Sequence, residues 1–147
     1  MNLNDAPKAP TGHFVLNVFR DGELVECFEE KNLIVNGSKP THAHLLGGDV
    51  TNRSITQIQF GTSGAAAGAG NTAITAPFTK AVDLVDYPTT DSVRFAFSLT
   101  SGENNGMAIM EFGLLTAGSV LYARKVRTVA LNKESDLSFS GTWTITF

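Results

Sequence analysis

The stretch "THAH" sets His42 and His44 two positions apart. In a strand that spacing turns both imidazoles to one face, which suits a divalent metal when a third ligand stands near. A small metal-binding β-barrel would want further histidines on another strand, and none follows His44; His13 completes the set. The competing reading is a loop after Pro40 in which one ring hydrogen-bonds locally. The carboxylates Asp83, Asp86, Asp91, Glu103, Glu111 and Asp136 are spread one to a turn or strand, without the paired spacing of general acid–base work. Glu111 is the exception in kind: it lies inside an apolar run, where a carboxylate needs a partner. Arg124 or Lys125 on the following strand would supply one across the sheet.

"FGTSGAAAGAGNTAIT" (60–75) is nearly all Gly, Ala, Ser and Thr after its first residue. A phosphate-binding loop of the G-x-x-x-x-G-K-[ST] type needs a second Gly where Ala66 stands and a Lys after it, and Gly61 to Ala66 supplies neither. The dinucleotide pattern needs a third Gly where Ala73 stands, and a βαβ unit besides. What remains is a long surface loop on a β scaffold, with small side chains that let it lie against another surface at low entropic cost. Gly64, Ala66, Gly68 and Gly70 are its contact candidates. No nucleophile elbow surrounds any Ser or Thr, and Cys27 reads as a buried thiol in an apolar strand. "ARKVRT" (123–128) with Lys133 is the one basic cluster, and it reads as a solvated strand face rather than a nucleic-acid surface. No catalytic residue, cofactor or resident metal is expected.

These residues need strands to hold them. "HFVLNVFR" places Phe14, Leu16 and Val18 on one face, an Asp-Gly turn follows, and "LVECFEEKNLIV" returns, so 13–35 reads as a hairpin. "PTHAHLLGG" is the only stretch with helical promise, one or two turns at most. Strands are expected at 53–61, around 78–86, at 92–100, 107–115 and 120–129, and in "LSFSGTWTITF". In 92–100, Val93, Phe95, Phe97 and Leu99 share the inner face. Trp143, Ile145 and Phe147 are expected in the same core. About eight strands with short turns and no long helix imply an all-β, antiparallel two-sheet sandwich, jelly-roll-like. Residues 1–12, with Pro7 and Pro10, read as an extended N-terminal arm on a single domain spanning 13–147.

Size and composition agree. The chain has 147 residues, 42% hydrophobic and 17% charged, enough for one sizeable core and unlike a disordered chain. Ten Phe outnumber two Tyr and one Trp. A net charge of -3 argues against electrostatic nucleic-acid binding. One cysteine supports no intrachain disulfide framework, and neither an export signal nor a membrane-spanning run is visible, so a soluble protein made in the cytoplasm is expected.

"QFGTSG" and the long C-terminal stretch carry a resemblance. Asn105, Gly106, Ile109, Glu111, Gly113, Leu114, Leu115, Leu121, Ala123, Arg124, Lys133, Gly141, Trp143, Ile145 and Phe147 form a pattern similar to small virion structural proteins of tailed bacteriophages. The resemblance covers about 55–147. It implies a non-enzymatic virion protein: a capsid decoration (cement) protein on the major capsid protein, or a tail-fibre or baseplate-associated adhesion module. With no repetitive shaft, coiled coil or second domain, the decoration role is the one expected, as a homo-oligomer (dimer or trimer) on the capsid surface. Pro7, Pro10 and the loop glycines would then make the contacts.

Overall fold

A computed structural model describes residues 9–147. Pro7 therefore lies outside the described residues. Pro10 is half-buried, and Thr11 and Gly12 already belong to the first strand, which begins two residues earlier than the sequence suggests.

The first two strands, β1 (Thr11–Arg20) and β2 (Glu23–Ile34), form the expected hairpin. Asp21 and Gly22 both take positive φ, 50° and 80°, the backbone a two-residue turn needs to follow the twist of its strands. The helix α1 (Ser38–Leu46) starts two residues before Pro40, which sits in the first turn, where its missing N–H costs no bond. Then follow β3 (Ile55–Gly61), β4 (Phe78–Ala81), β5 (Leu84–Asp86), β6 (Ser92–Leu99), β7 (Ala108–Thr116), β8 (Leu121–Asn132) and β9 (Leu137–Thr146).

Among the described residues the nine strands pair antiparallel in one sheet, ordered β4-β3-β7-β8-β2-β1-β9-β6-β5. The sheet curls into a half-barrel about a corner at β2, which meets β8 only through Leu33 and Ile34. Curling brings distant strands together: Phe60 on β3 and Phe97 on β6 approach to 6.3 Å between ring centres, although they stand second and eighth in the sheet. Phe14 lies 4.9 Å from both Phe112 and Trp143 at the centre of this core. Phe95, Phe97, Trp143 and Ile145 are buried there as expected.

Three expectations are corrected. The run 78–86 is two strands rather than one, and they occupy opposite edges of the sheet. Phe147 is 55% exposed, because it lies just past the end of β9 and beyond the core, and its ring stands against His42 instead. Cys27 is exposed: along most of its length β2 pairs with β1 alone, and no described residue covers its outer face.

Candidate functional site

Glu111 on β7 and Arg124 on β8 are offset by two residues in the ladder, since Gly113 stands opposite Arg124 and Val126 opposite Glu111. Their side chains meet diagonally, Arg124 Nε donating to Glu111 Oε2 at 2.8 Å, with both residues buried. The expected cross-strand pair is therefore present, and it does more than neutralise itself. Glu111 Oε1 accepts the backbone N–H of Ser63 (3.1 Å) and of Thr75 (2.7 Å). Arg124 Nη1 donates to Asn71 Oδ1 at 3.0 Å, and Nη2 reaches Ser63 O at 3.4 Å. Every one of these loop contacts falls within residues 61–76. The small-residue loop is a lid hydrogen-bonded onto a buried ion pair.

The lid also packs. Ile74 is buried with Val35, Leu115 and Leu121 in a second, smaller core. Room for it comes from two glycines. A Cβ on Gly61 would fall 2.3 Å from Ile74 Cγ2, and one on Gly113 would fall 2.7 Å from Ile74 Cγ1. Asn36 N donates to Ala69 O at 2.8 Å, tying the middle of the loop to the turn just past β2. The expected surface loop is thus anchored in a core at Ile74, while most of residues 64–70 stay at the surface. Gly64, Ala66 and Gly70 are exposed and Gly68 is half-buried.

The basic cluster is not a solvated face. Arg124 and Arg127 are buried. Arg127 donates to Glu26 at 2.9 Å, Lys125 pairs with Glu30, and the two cations stand over the Phe28 ring at 5.0 and 5.4 Å. Lys133 has no exposed surface, and its ammonium donates to Ser101 O, Asn105 Oδ1 and Glu134 O, locking two turns together. Burial pulls the Lys133 pKa below the ordinary lysine value. Paired with a carboxylate or buried among carbonyl oxygens, these groups offer phosphates no basic surface.

The histidines part company as well. His42 and His44 sit on α1, where a spacing of two turns side chains to different faces, so the shared-face geometry expected for a metal is lost. His42 Nε2 and the Tyr122 hydroxyl share a hydrogen bond of 2.7 Å, with burial lowering the histidine pKa and raising the tyrosine's. His44 turns to Asp49 and His13 to Glu29. Among the described residues no three potential ligands gather. The carboxylates are likewise dispersed, Asp86 to Arg94, Glu103 to Lys80 and Asp136 to Arg20.

Sequence reasoning missed a cleft of about 870 Å³ beside α1, bounded by β3, β5 and β6 and by the end of β9. Phe95 and Ile145 lie at its base, and Tyr87 and Phe147 on its rim are 75% and 55% exposed. The in-phase aromatic at position 147 was the one available signal, and alternation alone assigned it to the core. Compared with protein-family models, curated proteins and solved structures, the chain matches none.

Proposed function

We propose that this chain is a non-enzymatic structural protein of a tailed-phage virion, a decoration protein that sits on the capsid surface and bridges copies of the major capsid protein. The observation that carries the reading is the loop at 61–76, whose outer residues are exposed while its ends are bonded to a buried ion pair. A contact surface whose main chain is already ordered loses little entropy when a partner covers it. Small side chains let that partner approach the main chain closely. Repeated copies on a lattice multiply contacts that are each weak, and self-association into dimers or trimers fits the same role. In this reading the curled sheet is a two-sheet, jelly-roll-like sandwich whose wings face each other across the phenylalanine core.

The experiment is occupancy on bare capsids. The wild-type chain is compared with a variant shortened within residues 64–70 and with one lacking residues 1–12, each first shown to be folded. Loss of occupancy in either supports the proposal, and full occupancy in both ends it. Placement in a tail fibre or baseplate is the second reading, favoured by the exposed aromatic rim of the cleft. Copy counting in purified virions separates the two, since a capsid protein is abundant and a tail component is present in a handful of copies.

A further inference from the structure

The chain contains two Asn-Gly steps, Asn36–Gly37 just past β2 and Asn105–Gly106 in the turn before β7. Asparagine is thermolabile, and most so before glycine, whose nitrogen has no side chain beside it to keep it from the asparagine amide. Both asparagines are exposed, so access to solvent does not separate the two steps. Hydrogen bonding does. Asn105 Oδ1 accepts from the Lys133 ammonium at 2.7 Å, and Gly106 N donates to Lys133 O at 2.7 Å. Amide and nitrogen are both held there. The Asn36 side chain and Gly37 N make no hydrogen bond to any described residue. Gly37 takes an ordinary φ of -59°, yet a Cβ on it would fall 2.4 Å from Leu121 O, so packing against β8 admits only glycine. The fold thus keeps the small neighbour that makes Asn36 reactive.

We propose that Asn36 is a self-modification site, converted in the folded protein to aspartate and isoaspartate. Gly37 N, its proton lost to solvent base, forms a bond to Asn36 Cγ. The bond from Cγ to Nδ2 breaks, and the amide nitrogen takes a proton from water and leaves as ammonia, giving a succinimide. Water then opens the ring. Attack at Cγ restores the original main chain and leaves aspartate; attack at the main-chain carbonyl carbon leaves isoaspartate, linked to Gly37 through Cγ. The two products act differently on the structure. Aspartate puts a carboxylate ahead of α1, whose first turn holds no acidic residue, and the helix dipole favours it there. Isoaspartate adds a carbon to the main chain and displaces the peptide groups that donate to Ala69 O at 2.8 Å and accept from Lys39 N at 3.0 Å. The middle of the loop at 61–76 then loses its tie to the turn. This inference stands apart from the virion assignment, because it rests on the hydrogen bonding of the two Asn-Gly steps alone.

The test is peptide mapping by mass spectrometry of the full chain aged at mildly alkaline pH, with isoaspartate told from aspartate by electron-transfer fragmentation. Asn36 should convert roughly tenfold or more faster than Asn105, the factor that one hydrogen bond's restraint adds to a barrier. In a urea-unfolded sample the two steps should convert at similar rates, because the bonds to Lys133 are gone. Asn36→Ser, at an exposed position, should keep the fold and lose the modification. The converted chain, separated from the fresh one by its added negative charge, should be cut within 64–70 severalfold faster by a protease specific for small residues. Asn36→Asp carries the same charge without the added carbon, and it should be cut no faster than the wild type. An unmodified Asn36, equal rates at the two steps in the folded chain, or a bias that persists in urea overturns the proposal. So does equal cleavage of the converted and fresh chains, which would leave the loop's tie unaffected.

Discussion

Glu111 Oε2 accepts a 2.8 Å hydrogen bond from Arg124 Nε in the interior of the protein, while its other oxygen holds both ends of the loop that covers them. Burying two charges is favourable only when all their hydrogen-bonding capacity is met, and here the loop backbone and Asn71 meet it. Pair and loop are therefore one cooperative unit.

Removing either charge should cost about 3–5 kcal/mol, because the partner is left buried and unpaired. Glu111→Leu and Arg124→Leu together should cost clearly less than the sum of the singles. Urea unfolding of the four proteins gives the coupling, and a coupling of zero would show that the pair is energetically idle. Hydrogen exchange adds a local readout: the Ser63 and Thr75 amides should lose protection in Glu111→Leu before the strands do.

Gly113→Ala should destabilise by about 1–3 kcal/mol, since the new methyl group meets Ile74 and Leu121 at 3.0 Å or less. Combined with Ile74→Ala, the penalty of the added methyl should largely vanish. Strict additivity in denaturant melts would mean that Ile74 is not what limits the space.

Acid should weaken the contact between β4 and the turn at 101–106. Lys80 and the Thr100 N–H hold the Glu103 carboxyl down, from an ordinary 4.5 to about 2. Between those values the unfolded chain binds a proton that the folded chain does not, so stability rises with pH through this window. The contribution is complete above about 4.5 and disappears as the pH falls toward 2. Urea midpoints measured from pH 6 downward should drop less steeply for Glu103→Gln than for the wild type. Equal slopes would refute the assignment.

Trp143→Ala should cost about 3–5 kcal/mol, as expected for a large aromatic lost from a packed core. Phe147→Ala, removing a half-exposed ring on the cleft rim, should cost under about 1 kcal/mol. Thermal melts of the two variants check both numbers, and a comparable loss at Phe147 would return that residue to the core.

Alternation in the sequence determined the strands and the faces they present: Phe14, Leu16 and Val18 inward on β1, Phe95, Phe97 and Leu99 inward on β6. The Asp21 and Gly22 turn was equally legible, because it depends on the backbone freedom of two adjacent residues. Even the ion pair could be anticipated, since a carboxylate in an apolar strand demands a cation on the next. Only the tertiary structure decided the rest. Period-two patterning says that a face is apolar but not what will cover it, so it could not show Phe147 and Cys27 left uncovered, or Arg127 and Lys133 buried. The loop at 61–76 has no periodicity to read, and its place was set by two charges that needed its backbone. The run at 78–86 resembles one strand because each residue's local preference is extended. It became two because a curled sheet brings its opposite edges within one residue of each other, and Val82 and Asp83 then bond to different wings.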